Sequence, residues 1–283
     1  MAHQKPKDKD PLDRLLFWRR LRPRPDASMT EAEARMAGVI PPDGWKRPAY
    51  AFPERAMSTF AWGRLAAFVA RSRRRNDSGS SAPGLERSRA FCRGALEALD
   101  IDLKVSGTSR LPPTETGILF MWNQTSHLDH LILGAVVDRP VRSLYNVELA
   151  KVPVYGPWLR KQGHYLVDRY NEEQWRESIS RAATDVREKG VSILISPEGT
   201  RSWDGRLLPM KRGAFILAIE SGAPIVPIII RGAHRALPRT SGIIRPGTIE
   251  VEFGPLVDPR PFTQETRSRL KAQVAEILRR GEP

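Results

Sequence analysis

From about residue 86 the chain alternates short apolar runs with longer amphipathic stretches, and that alternation limits the folds open to it. Helix periodicity runs over 85–99, 127–137, 172–189, 213–221 and 263–280, with Gly190 and Gly222 placed to close two of these helices. Apolar, β-branched runs at 101–106, 118–122, 141–147, 165–167, 191–195, 225–230 and 249–253 read as buried strands. Strands alternating with helices predict an α/β fold: a mixed, largely parallel sheet flanked by helices. With 40% hydrophobic residues in 283, the chain can fill such a core. This body spans 86–260, and 261–283 forms an amphipathic C-terminal helix.

The first 85 residues differ from the rest. Residues 1–95 hold 20 Lys and Arg against 10 Asp and Glu, so most of the net charge of +14 sits in the first third. Leu15, Leu16, Phe17 and Trp18 lie between Arg14 and Arg19–Arg20. Phe60, Trp62, Leu65, Phe68 and Val69 precede Arg71 and Arg73 to Arg75. Apolar residues beside arginine clusters suit helices on an anionic membrane surface, and equally a helix packed on its own domain with a solvated basic edge. A basic helical N-terminal extension over 1–85 is therefore expected, joined through the polar stretch 76–84.

Several function classes drop out. The single cysteine, Cys92, forms no internal disulfide, and no Cys and His cluster for zinc is present. The N-terminal stretch lacks the apolar core of a secretory signal. No run approaches the ~18–20 apolar residues of a membrane-spanning helix. The charge alone would permit nucleic acid, but no helix-turn-helix spacing, RNP-type pattern or finger cluster accompanies it, so no nucleic-acid partner is expected.

Four blocks stand at strand–loop or loop–helix junctions, where α/β folds place their sites. The first is Asn123-Gln124-Thr125-Ser126-His127-Leu128-Asp129, in which Thr125 or Ser126 would also serve as a simple helix cap. The second runs from Gly163 to Arg169, whose guanidinium suits a phosphate. The third, Ser196-Pro197-Glu198-Gly199-Thr200-Arg201-Ser202, offers a close-approach glycine and donors for an oxyanion. The fourth joins Lys211-Arg212-Gly213 to the strand Ile225-Val226-Pro227-Ile228. Each alone is weak; their order and spacing together are specific.

In that order, over about residues 86–258, they resemble the glycerolipid acyltransferases that acylate 1-acylglycerol-3-phosphate. The resemblance implies acyl transfer in phospholipid biosynthesis. The donor would be acyl-CoA or acyl carrier protein, and the acceptor a lysophospholipid resembling lysophosphatidic acid. No metal or redox cofactor is implied. It also implies substrate binding by Asn123, Ser126, Arg169, Glu198, Gly199, Thr200, Arg201 and Lys211. In this picture Arg169 and Arg201 grip the phosphate, at a peripheral position on the cytoplasmic face of a membrane.

One departure matters. The family's first block has histidine after asparagine, acting as general base on the acceptor hydroxyl and oriented by the aspartate. Here that position is Gln124, with Asp129 in register. A glutamine amide has no basic nitrogen. Three accounts follow: a substituted enzyme, a non-catalytic lipid-binding relative, or replacement by His127 one helical turn on. His130 would point about 100° round the helix. Gln124 itself is expected to be able to hydrogen-bond Asp129 and keep the loop in shape.

Overall fold

The computed structural model describes residues 30–46, 48–76, 84–151, 160–161, 163–168 and 171–283. Leu15 to Arg20, Arg169 and most of the 76–84 stretch lie outside them. The helices are α1 (Glu31–Met36), α2 (Phe52–Asn76), α3 (Gly84–Ala98), α4 (Asp129–Val136), α5 (Glu172–Lys189), α6 (Arg212–Ser221), α7 (Ala233–Ala236) and α8 (Arg267–Arg279). The strands are β1 (Ile101–Ser106), β2 (Leu119–Trp122), β3 (Val141–Asn146), β4 (Tyr165–Val167), β5 (Ser192–Ile195), β6 (Ile225–Arg231) and β7 (Gly247–Phe253).

Among the described residues the strands form one sheet in the order β1-β7-β6-β2-β5-β3-β4. All neighbours are parallel except β6 and β7, so β1 and β7 run against the other five. The sheet is mixed and largely parallel, as expected. Side-chain alternation splits the core in two. Phe120 and Trp122 of β2, with Val226, Ile228 and Ile230 of β6, pack on one face against Leu96 of α3 and Ile132 and Leu133 of α4. Leu119, Met121, Ile225 and Ile229 pack on the other against α5, α6 and α8, through Ile179, Phe215, Val274 and Leu278. Gly190 and Gly222 close α5 and α6 in the left-handed conformation, at φ 62° and 66°.

Part of the segment 30–76 packs on the α/β body, the second of the two arrangements open to its apolar and basic stretch. Trp62 Nε1 donates to Gly242 O at 2.7 Å, Ile244 N donates to Ser58 Oγ at 2.9 Å, and Ala61 lies in the core cluster of the α3–α4 face. Ser58, Ala61, Trp62 and Leu65 of α2 supply that packing stripe. Its other side leaves Phe52, Met57 and Phe60 exposed. The C-terminal helix is likewise integral, since Leu270, Val274 and Leu278 are fully buried. Among the described residues no helix is long and apolar enough to cross a membrane.

Candidate active site

Strands β2 and β5 are adjacent and parallel, so the loops leaving their C-terminal ends meet. The first loop begins where Asn123 replaces the next rung of the ladder. Its Nδ2 donates to Ile230 O and its Oδ1 accepts from Ile230 N, both at 2.8 Å. The side chain thus satisfies β6 while the main chain turns away. Asp129 then fastens the turn from inside: its Oδ2 accepts from Thr125 N at 2.9 Å and Ser126 N at 3.1 Å. Ser126 Oγ donates to Leu237 O at 2.8 Å and accepts from Leu128 N at 3.1 Å. The helix begins at Asp129, two residues later than the periodicity indicates, because these side-chain bonds hold 125–128 in a turn.

The second loop clasps residue 124 by its backbone. Glu198 Oε1 accepts from Gln124 N at 2.6 Å, and Ser202 N donates to Gln124 O at 2.9 Å. The other Glu198 oxygen accepts from Leu208 N at 2.6 Å. Both bonds to Gln124 are to its main chain, so they hold whatever side chain stands there. Gly199 sits at φ +66°, and a Cβ on it would lie 3.2 Å from Lys211 Cδ and 3.5 Å from Lys211 Nζ. The lysine therefore lies along the glycine, and its own N–H ties to Pro197 O at 2.7 Å.

Arg201 reaches the first loop. Its guanidinium bonds His127 Nδ1, while His127 Nε2 donates to Arg239 O at 3.1 Å. An arginine can only donate, so Nδ1 accepts and the imidazole is neutral with its proton on Nε2. Burial, then the nearby Arg201 charge, push its pKa down to about 4. With both ring nitrogens engaged, His127 is a structural link between the loops and not a stand-in base. His130 is open to solvent on one side yet ringed by protein, with ring centroids 5.8 Å from Trp122 and 6.1 Å from Tyr145. Surrounding protein, Arg201 and His164 push it down to about 4 as well.

The two carboxyl groups shift the other way. Burial pushes Asp129 up to about 7, although the Ser126 and Thr125 N–H groups and Arg201 favour its charged form. Burial likewise pushes Glu198 up to about 8, against the pull of the Leu208 and Gln124 N–H groups. Asp129 Oδ1 is buried without a hydrogen-bond partner, as is the indole Nε1 of Trp122. The indole lies near enough to favour the ionised carboxyl but outside hydrogen-bond geometry. The expected bond from Gln124 to Asp129 is thus not made to Oδ1.

The structure brings Asn123, Gln124, Ser126, Asp129, Glu198, Gly199, Arg201 and Lys211 to this junction. It gives several of them work other than touching a ligand. The Asn123 amide and the Ser126 hydroxyl are committed to backbone groups, and both Glu198 oxygens to N–H groups. The Thr200 methyl packs close to Gly38, where an added Cβ would approach it to 3.0 Å. Arg169 lies outside the described residues.

Residues 102–231, which carry both loops, match the family model described as Acyltransferase. Over that stretch, under half of the chain, it is similar to the acyltransferase family. The 1-acyl-sn-glycerol-3-phosphate acyltransferase of Cocos nucifera is 32% identical over 140 residues, covering 50% of this chain and 46% of the relative. That of Escherichia coli K12 is 26% identical over 160 residues, covering 56% and 64%. The matched segment thus spans about half to under two thirds of these relatives. The crystal structure of the 1-acyl-sn-glycerophosphate acyltransferase PlsC from Thermotoga maritima shares the fold, with a TM-score of 0.61 at 20% identity, covering 79% of this chain and 94% of that one.

Sequence reasoning missed a second ring of residues around the two loops. Arg239 NH1 donates to Arg201 O at 2.6 Å and Gly38 O at 2.7 Å, with its guanidinium 4.2 Å from the Trp203 ring centroid. Trp203 Nε1 donates to Gly38 O at 3.0 Å, and Trp45 Nε1 to Trp203 O at 3.1 Å. Residues 38–45 therefore lie on the second loop. No local spacing signals the contacts of residues 38–45, which span 158 to 201 residues of chain.

The raised Asp129 gives a stability signature. An acid whose folded pKa lies above its unfolded value stabilises fully below the unfolded pKa and loses that contribution as pH rises through the folded one. For Asp129 the window runs from the ordinary 3.8 to about 7. The displacement corresponds to a few kcal/mol at most, of order 4. Asp129→Asn removes the titration, so its Tm relative to the native protein rises between pH 5 and pH 8 in thermal unfolding scans. A gap constant across that range would contradict the buried, titrating carboxyl.

Proposed function

We propose that this protein moves an acyl chain from acyl-CoA or acyl carrier protein to the hydroxyl of a lysophosphatidic-acid-like acceptor, with Gln124 holding turnover low. The observation that carries the reading is the buried, partnerless Asp129 Oδ1 on the loop whose residue 124 is clamped by its backbone. A carboxylate so placed is the acceptor that an imidazole N–H at 124 would use, the base–orienter relation of hydroxyl activation. Arg201, supported by Lys211 beside Gly199, supplies positive charge for the acceptor phosphate, and Arg169 belongs to the same proposal.

With a base at 124, the acceptor hydroxyl loses its proton to that base as its oxygen bonds the thioester carbonyl carbon. The C–S bond then breaks, and the leaving thiolate takes the proton that the base had accepted, which restores the base. Gln124 accepts no proton, so the native residue provides alignment alone. A second reading, a lipid-binding relative without turnover, is favoured by one specific observation: both nitrogens of His127 are engaged, so the neighbouring imidazole does not replace the missing base.

Product identification by mass spectrometry separates the two. The Gln124→His protein is incubated with an acyl thioester and a panel of acceptors: lysophosphatidic acid, glycerol-3-phosphate and phosphorylated glycolipids. Diacyl phosphate from lysophosphatidic acid is the expected result. Background thioester consumption with every acceptor, alongside retained acceptor binding, would favour the second reading.

The lipid acceptor implies contact with a membrane surface, and the exposed Phe52, Met57 and Phe60 of α2, on a chain of charge +14, support peripheral docking on anionic lipid at the cytoplasmic face. Sedimentation with anionic vesicles is expected to exceed that with neutral ones at low salt and to fall as salt rises. Equal sedimentation with both at low salt would remove this part of the account.

A further inference from the structure

We infer that Glu282 is a positioning residue of the site: with Gly281 it braces, from the C-terminal side, the clasp that holds the backbone of residue 124. The inference goes beyond the proposed reaction, because it concerns the clasp whether or not turnover occurs.

After α8 the chain is fixed against β6 and β7. Arg231 Nε donates to Arg280 O at 2.7 Å, and Arg280 NH2 pairs with Glu252 Oε1 at 2.7 Å. The next residue, Gly281, is buried against the first loop. A Cβ there would lie 2.6 Å from Asn123 Nδ2 and 2.9 Å from Ile229 Cγ2, so only glycine lets the main chain lie on the amide that ends β2. Glu282 then turns to the second loop, where its Oε1 accepts from Leu207 N at 2.9 Å. The neighbouring Leu208 N donates to Glu198 Oε2, and Glu198 Oε1 accepts from Gln124 N, each at 2.6 Å. From Glu282 to residue 124 the path therefore runs through hydrogen bonds and one peptide link.

The brace also acts by charge. Glu282 and Asp129 are like charges acting on Glu198, and both add to the burial that raises it. Of the cations on these loops, Arg201 favours the charged form of Asp129 and Lys211 lies along Gly199. Glu198 is thus set by groups on three elements: the first loop, the second loop and the C-terminal segment.

The test needs no substrate. Backbone amide resonances of Gln124 and Leu208 are followed by 15N–1H NMR across pH 5–10 in the native protein, Glu282→Gln and Glu282→Ala. In the native protein both amides move together with a midpoint near the Glu198 value of about 8. Glu282→Gln keeps an acceptor for Leu207 N but loses the charge, so the midpoint moves to lower pH while Tm stays close to native. Glu282→Ala also loses the acceptor, and the Gln124 amide shift itself moves. The inference is overturned if Glu282→Gln titrates at the native midpoint, or if Glu282→Ala leaves the Gln124 amide in place. Should Glu282→Ala fail to fold, the Gln variant decides alone. Failure of acyl transfer in Gln124→His leaves this result untouched, so the two claims fail separately.

Discussion

Replacing Gln124 with histidine raises thioester-dependent acyl transfer to lysophosphatidic acid by ~10²–10⁴-fold over the native chain. The gain is large because the surroundings are already built. The main chain at 124 is held at both its N–H and its C=O by Glu198 and Ser202, contacts indifferent to the side chain. The Asp129 carboxyl has one oxygen committed to the Thr125 and Ser126 N–H groups and the other without a partner. An imidazole N–H bonded to that oxygen would fix the tautomer and leave the opposite ring nitrogen free for the acceptor hydroxyl. The substitution also relieves a buried, unsatisfied carboxylate oxygen. Asp129→Asn in the same background should remove most of the gain, since an amide neither orients nor charges the ring as a carboxylate does. A stopped assay of thiol release, run beside the product analysis, checks both. Equal rates in the native and Gln124→His proteins would place the limiting defect elsewhere.

Arg201→Ala lowers affinity for lysophosphatidic acid by about 100-fold, the loss of a charge-assisted phosphate contact of roughly 2–3 kcal/mol. The guanidinium is part-buried, and one of its N–H groups is given to His127, leaving further donors for an anion. The same change removes both the positive charge and the hydrogen bond at His127 Nδ1, so the His127 pKa, held down to about 4 by burial and by Arg201, rises. Calorimetric titration with lysophosphatidic acid reads the first effect, and histidine NMR titration reads the second. An unchanged affinity together with a raised His127 pKa would make Arg201 a strut between the loops and not a phosphate ligand.

Much of the fold is legible in the sequence for a simple reason. The buried strands β2, β5 and β6 are short runs of apolar residues, and β5 and β6 are rich in β-branched ones, so length and composition mark them without knowledge of partners. Gly190 and Gly222 end their helices where a left-handed residue is needed. The exact start of α4 was not legible, because hydrophobic periodicity cannot see that Asp129 and Ser126 spend their side chains on the preceding turn. Nor was the packing of α2. Its composition fits a surface helix, but the Trp62 and Ser58 contacts to 242–244 depend on a loop 180 or more residues away.

The site divides in the same way. The two loops are contiguous blocks, so their residues stand out in order along the chain. Roles within them are set by partners that local spacing does not encode. Asn123 and Ser126 look like ligand contacts on paper and prove to be anchors, because Ile230 and Leu237 occupy their polar atoms. His127 looks like a replacement base until Arg239 and Arg201 take its two nitrogens. Arg239, Trp203 and Glu282 enter only through contacts that cross the chain.

A crystal structure of the Gln124→His protein bears most directly on the idea that this scaffold still presents a base position aligned with its orienting carboxylate. The account predicts the introduced imidazole within hydrogen-bond distance of Asp129 Oδ1, with the Gln124 backbone bonds to Glu198 and Ser202 unchanged. An imidazole turned away from Asp129, with that oxygen still unpartnered, would contradict it.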